Sequence, residues 1–269
     1  MTTGEAPAGE GREADMDFQG RRVLVTGSTR GIGRATAELF LAHGASVLLH
    51  GRETAGVEAA LAALTPADRP RAEGLAADLA ERSQCRRLAA AAGEVDVLVN
   101  CAGIFEERLL GEADAAHWRR GLAVNLTAPW VLASSLLPGL RRRRGMVVNI
   151  ASEAAVLGYP GCSAYCATKG ALIGLTRALA VELAPDVRAL CICPGPVETD
   201  MMHQSLARTG DPAAARRQWE AVTLLRRVGQ PREIAAAIVF AASPAASFAT
   251  GSAWLVDGGV TAGKRVPRS

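Results

Sequence analysis

From Arg21 onward, short apolar runs alternate with longer amphipathic stretches. Residues 22–26, 46–50, 95–100, 145–150, 187–193 and 252–256 are rich in Val, Leu and Ile and bounded by Gly, Asn, Asp or Pro, which predicts buried strands. A weaker run ends at residues 75–78 and makes a seventh strand. Between them, residues 32–43, 57–64 and 117–140 carry apolar side chains at helical spacing. Near-continuous apolar strands separated by helices specify a parallel sheet covered on both faces. The expected fold class is therefore α/β: a single doubly wound Rossmann-type domain with a seven-stranded parallel sheet flanked by helices.

Composition narrows the function. The chain has 269 residues, of which 49% are apolar, enough for one full-sized core. A net charge of +3 from 30 basic and 27 acidic residues argues against nucleic acid as a partner. Uninterrupted apolar runs fall short of the roughly 18 residues that a membrane span needs, so no membrane partner is expected. Residues 1–17, rich in Gly, Ala and Glu, read as a disordered extension without a secretory signal, and 263–269 as a short polar tail. The domain is expected over 18–262, in the cytoplasm. The cysteines at 85, 101, 162, 166, 191 and 193 include no CxxC pair, and His43, His50, His117 and His203 are scattered, so neither a disulfide framework nor a metal site is expected. The run Arg141–Arg144 reads as a solvated helix C-terminus rather than a phosphate patch.

Two stretches carry chemistry. After the first strand comes Gly27-Ser28-Thr29-Arg30-Gly31-Ile32-Gly33, a turn short of side chains that lets backbone N–H groups at a helix N-terminus approach a dinucleotide pyrophosphate. The second strand ends in His50-Gly51-Arg52, with no carboxylate for a ribose 2′-hydroxyl. Arg52 and Arg30 instead suit a 2′-phosphate, so NADP(H) is preferred and NAD(H) is the alternative. Further along, Tyr165 and Lys169 are spaced i, i+4 on one helix face. An ammonium beside a phenol is expected to lower the phenol's pKa and make tyrosine a general acid or base. Only two of the 30 cationic residues are lysines, and one of them falls four residues after one of the two tyrosines.

With these segments the chain resembles the short-chain dehydrogenase/reductase superfamily from Gln19 to Gly259. The matches are Thr26-Gly-x-x-x-Gly-Ile-Gly33, Asp78, Asn100-Cys101-Ala102-Gly103, Asn125, Ser152, Tyr165-x-x-x-Lys169, Pro194-Gly195-Pro196-Val197-Glu198-Thr199 and Val256-Asp-Gly-Gly259. The resemblance implies Tyr165 as proton donor in reduction and acceptor in oxidation, with Ser152 on the substrate oxygen. It implies Lys169 on the nicotinamide ribose and Asn125 on a proton path to it. Asp78, with Leu79 beside it, would meet the adenine. Asn100 would steady the sheet behind the cofactor, Ala102 and Gly103 would line its path, and residues 194–199 would clasp the nicotinamide side.

Cys101 departs from the second Asn common at that position, and the connection Ala184-Pro-Asp-Val187 is short. Glu153 beside the pocket is read as solvated or structural, with substrate contact as the alternative. The stretch 197–225, with Met201, Met202, His203, Leu206 and Trp219, is the expected lid, opposite Leu157 and Tyr159. The implied activity is interconversion of a ketone and a secondary alcohol, as in 3-oxoacyl-carrier-protein reductases and related carbonyl reductases. Alternatives are an NAD-linked sugar, polyol or steroid alcohol dehydrogenase, and a non-catalytic cofactor sensor. The resemblance also implies a homotetramer, or a homodimer, for which Ala171, Leu172, Leu175, Ala178 and Leu179 offer a small and apolar helix face.

Overall fold

A computed structural model describes residues 16–263. The expectations for residues 1–15 and 264–269, Lys264 included, lie outside the described residues. Seven strands form one sheet: β1 (Arg22–Val25), β2 (Ser46–Gly51), β3 (Ala72–Ala76), β4 (Val97–Asn100), β5 (Met146–Ile150), β6 (Arg188–Pro194) and β7 (Ala253–Val256). Their order is β3-β2-β1-β4-β5-β6-β7, and every pairing is parallel. Val23 sits between Val47 on β2 and Val97 on β4, so the centre of the sheet is a rank of β-branched side chains.

Helices cover both faces: α1 (Gly31–Ala42), α2 (Thr54–Ala62), α3 (Arg82–Ala92), α4 (Ala115–Leu122), α5 (Ala128–Arg143), α6 (Ser163–Leu183), α7 (Asp200–Leu206), α8 (Pro212–Val222) and α9 (Pro231–Ala242). One apolar layer holds Phe40 and Leu41 of α1 with Ile234 and Ile238 of α9. The other holds Leu88 of α3, Leu132 and Leu136 of α5, and Leu179 and Leu183 of α6. The inner strands β1, β2, β4, β5 and β6 are buried on both sides, which is why their sequences lack alternation, while the edge strands β3 and β7 are partly exposed. The strand order reverses between β1 and β4, the switch point beyond whose carboxyl ends sheets of this kind hold their ligands.

Several details differ from the sequence reading. The third strand stops at Ala76, and Ala77 and Asp78 lie beyond it. The helix expected over 117–140 is two helices, α4 and α5, joined by a π-helical turn, Ala123–Thr127. By length and composition, residues 115–143 would suffice to cross a membrane, yet half of the apolar window is buried inside the fold. Most of the buried positions lie along α5, which packs in the core, whereas α4 buries only Gly121. The α5 C-terminus carries the arginine run, and Arg142 and Arg143 pair there with Glu94 at 2.7 and 3.3 Å. Helix α9 starts with a capping box between Gln230 and Glu233 and with Pro231 in its first turn, a legible signal that the pattern reading passed over.

Candidate active site

The nucleotide end is built by close backbone approach. Gly27 has φ +66°, and a Cβ on it would lie 2.7 Å from the Ala102 Cα. A Cβ on Gly33 would lie 2.3 Å from the Gly27 carbonyl oxygen. Only glycine closes this turn onto the loop after β4 and lets α1 begin against it. Thr26 Oγ1 accepts from the N–H groups of Cys101 and Ala102, both at 3.0 Å, so the two loops are tied together. Ser28 is locked to β2: its N–H donates to the His50 carbonyl at 2.9 Å, and its Oγ accepts from the His50 N–H at 2.9 Å. Arg30 is the N-cap of α1, which begins without a side-chain cap. Gly31 faces Thr199, since its Cβ would lie 3.2 Å from Thr199 Cγ2. Thr199 caps α7, accepting from Met202 N–H at 3.4 Å, so residues 194–199 close over the turn. Gly195 packs against Asp257, and Val197 is buried and bridges to Gly229. A side-chain-free turn and an uncapped helix N-terminus form a cradle that any Cβ would fill, and this fits a dinucleotide pyrophosphate.

Arg30 and Arg52 are both exposed and each has an acidic neighbour: Asp200 at 3.6 Å and Glu53 at 2.8 Å. Asp78 turns on itself: its Oδ1 accepts from Ala80 N–H at 2.9 Å, and Arg120 of α4 lies 3.6 Å away. Leu79 is buried below it.

At the chemical end, α6 carries Tyr165 and Lys169 on one face, as the spacing required. Lys169 is buried, and its Nζ donates to the Ile150 carbonyl at 2.8 Å and lies 5.6 Å from the centre of the Tyr165 ring. A Cβ on Gly103 would lie 3.4 Å from Lys169 Nζ and 3.5 Å from Asn125 Oδ1, so the three positions converge on one floor. The π turn delivers Asn125, as such turns do at functional sites. Its Oδ1 accepts from Ile104 N–H at 2.8 Å, while its Nδ2 donates to the Ile104 carbonyl at 3.0 Å and to Thr168 Oγ1 at 3.2 Å. Asn100 Nδ2 donates to Asn149 Oδ1 at 2.9 Å, and Asn149 passes the chain to Thr176 of α6, bracing β4, β5 and the helix.

One electrostatic expectation is corrected. The phenol of Tyr165 is pushed above its ordinary range by burial and then by the nearby Glu153 carboxylate, with the Ser152 hydroxyl pulling the other way. The ammonium of Lys169 is directed at Ile150, and burial lowers its own pKa. The i, i+4 spacing supplies proximity but not the direction of the ammonium's bond.

Two residues were missed or misread. Glu153 is buried, not solvated: it is 6% exposed and its Oε2 accepts from Ser152 Oγ at 2.9 Å. Burial pushes its carboxyl up to about 7. His50 is buried at the end of β2, where its Nδ1 accepts from Gly27 N–H at 3.0 Å and its Nε2–H faces the Ala77 carbonyl at 2.9 Å. Burial lowers its pKa, keeping it neutral and able to accept. A polar residue inside an apolar strand next to the glycine turn was the available signal. Trp219 of α8 packs on Tyr159 with ring centres 6.3 Å apart, so the expected lid meets the expected wall. Glu198 holds the lid by bonding Arg216 at 2.6 Å and also contacting His203. Leu172 and Leu179 face the core rather than an assembly face, while Ala171, Ala178 and Val181 are exposed on α6. All six cysteines are free, and no cluster of metal-ligating residues occurs among the described residues.

Residues 27–261 match the family model described as enoyl-(acyl carrier protein) reductase. The chain is 36% identical over 246 residues to 2-keto-3-deoxy-L-fuconate dehydrogenase of Xanthomonas campestris pv. campestris, covering 90% of this chain and 80% of that one. It is 35% identical over 255 residues to the 3-oxoacyl-acyl-carrier-protein reductase of Vibrio harveyi, covering 91% and 99%. Among solved structures, a short-chain dehydrogenase/reductase from Brucella melitensis, described as a glucose/ribitol dehydrogenase, superposes with a TM-score of 0.84 at 36% identity, covering 91% and 98%.

Proposed function

The chain belongs to the short-chain dehydrogenase/reductase family, an oxidoreductase of the ketone/alcohol type, and from there we propose that it is an NADP(H)-dependent carbonyl reductase with Tyr165 as its general acid/base. The observation that carries this reading is the convergence of Asn125, Gly103 and Lys169 beside Tyr165, whose phenol the Ser152 hydroxyl also meets. The glycine turn, Thr199 and residues 194–197 would hold the dinucleotide, with Asp78 and Leu79 at its adenine end. The nicotinamide, when bound, supplies or takes the hydride.

This chain's own residues position the oxygen and move the proton. Ser152 hydrogen-bonds the reacting oxygen. Tyr165 Oη gives that oxygen its proton in reduction and takes it back in oxidation. A phenol whose pKa lies above its ordinary range is a poor acid, so the reading requires the Lys169 ammonium to turn from Ile150 toward the phenol and ribose during turnover. Asn125 holds the loop at Ile104 against α6 and keeps that floor rigid. Trp219, Tyr159 and Phe105, whose ring lies 5.0 Å from that of Tyr165, give the pocket apolar walls suited to a hydrophobic or acyl-bearing ketone.

Arg52 and Arg30 support the NADP(H) preference by their charge and position beside the turn. One observation favours a second reading. Both arginines already have acidic partners, Glu53 and Asp200. With those pairs kept, NAD(H) and a sugar-type alcohol would suit the site, as with the deoxy-fuconate dehydrogenase relative. The reading includes a cytoplasmic enzyme assembled as a homotetramer or homodimer through the exposed face of α6. Oxidation of NADPH and NADH, followed by absorbance with a panel of ketones and keto-acyl thioesters, tests it. Faster turnover with NADPH is expected. NADH-only turnover of sugar-derived ketones would replace it with the second reading, and no turnover at all would reject both.

A further inference from the structure

We propose that Glu153 is a positioning residue for Ser152: its carboxyl group decides whether Ser152 offers the reacting oxygen a hydrogen-bond donor or only a lone pair, and it thereby ties carbonyl reduction to pH. The inference rests on the proposed function of the site.

The argument starts from the inventory of a hydroxyl, which has one proton and two lone pairs. Ser152 spends the proton on Glu153 Oε2 at 2.9 Å and one lone pair on the Ala154 N–H at 3.2 Å. What is left is one acceptor position, on the side of the Tyr165 phenol with which the Ser152 hydroxyl also interacts. A ketone oxygen can only accept, so Ser152 has nothing to give it while Glu153 is ionised. When Glu153 takes a proton from solvent, its carboxylic O–H donates to Ser152 Oγ and fills the second lone pair. The serine hydrogen then rotates toward the reacting oxygen. No bond within Ser152 breaks, and the carboxyl gains the single proton involved.

The surroundings place this exchange in the neutral range. Burial first, and then the Asp257 carboxylate, push the Glu153 carboxyl up to about 7, against the bond from Ser152. The other titratable groups that face it are the phenols of Tyr159 and Tyr165 and the thiol of Cys162, all of which it pushes upward in turn. On the adjacent α6, Lys169 is bonded to Ile150, and the β6 thiols of Cys191 and Cys193 face Lys169. Among the described residues, no cationic side chain therefore offsets the carboxylate.

The test is the pH profile of kcat/KM with the panel ketone that the wild type reduces fastest, compared with Glu153→Gln. A glutamine amide donates to Ser152 at every pH. With a single ionisation near 7, wild-type kcat/KM should fall by about 30-fold between pH 6 and pH 8.5, and the Glu153→Gln profile by less than about threefold. Ser152→Ala, which removes the group being oriented, should lose this limb together with most turnover. Infrared difference spectra of the full chain supply a readout independent of catalysis. A protonated-carboxyl band should disappear near pH 7 in the wild type and be missing from Glu153→Gln. A Glu153→Gln profile that falls as steeply as the wild type, or a Glu153 carboxyl already ionised at pH 6, overturns the proposal and leaves the function intact. A wild type that reduces no carbonyl compound removes the function and this inference with it.

Discussion

The buried carboxyl of Glu153 makes a prediction about stability that needs no substrate. Its pKa is raised from the ordinary 4.5 to about 7, so the folded protein holds this proton more tightly than the unfolded chain does. Its stabilising contribution is complete below pH 4.5 and drains away as pH rises through 7. Integrating one site between these two values makes the loss between pH 5 and pH 8 about 2.5 kcal/mol, at ~1.36 kcal/mol per unit of pKa shift. Other groups also titrate over that range, so the useful quantity is a difference. Glu153→Gln keeps the shape and a partner for Ser152 but carries no charge at either pH. The melting temperature of the wild type should therefore fall further than that of the variant between pH 5 and pH 8, by about 5–10 °C, taking ~2–4 °C per kcal/mol for a domain of this size. The assay is scanning calorimetry of both proteins at the two pH values in matched ionic strength. Equal falls in melting temperature would refute the reasoning, because a carboxyl that costs nothing to ionise is not held in the buried position seen beside Ser152.

Tyr165→Phe removes one hydroxyl at nearly constant volume, so NADPH titration should be close to unchanged while turnover drops by roughly 10²–10⁴-fold; a variant with wild-type turnover would overturn the acid/base assignment. Lys169→Ala should lose both turnover and NADPH affinity, measured by steady-state rates and fluorescence titration. Lys169→Arg should not restore either, because a planar fork does not fit the buried position from which a compact ammonium reaches Ile150. Arg52→Asp should weaken NADPH by at least about tenfold while sparing NADH, since a charge-assisted phosphate contact contributes ~1.5–3 kcal/mol; an unchanged NADPH/NADH ratio would move the 2′-phosphate away from Arg52.

Much of this protein is local enough to be read along the chain. The parallel sheet is legible because strands buried on both faces must be continuously apolar, and residues 22–26, 95–100 and 145–150 announce β1, β4 and β5 within two residues. The glycine turn is legible because its spacing is itself the geometry: Gly33 leaves no room for a Cβ against the Gly27 carbonyl. Tyr165 and Lys169 are legible because i, i+4 spacing on a helix dictates a shared face. The fate of polar groups was not legible, because a side chain's partners come from distant parts of the sequence. His50 looked like an incidental strand-end residue, yet it takes the Gly27 N–H from 23 positions away. Asn125 needed a π turn, which no apolar period reveals, to reach Ile104 and Thr168 together. Glu153 looked solvated or structural because side chains beyond a strand end need not face inward. Only the packing of the Glu153–Ala155 turn against α6 and β6, with Asp257 beside it, buries that carboxyl and raises its pKa. Periodicity decides which faces are apolar. Which polar group is shut inside with which partner, and therefore what it costs to ionise, is decided by the tertiary structure, because desolvation depends on everything packed around the atom rather than on its neighbours in sequence.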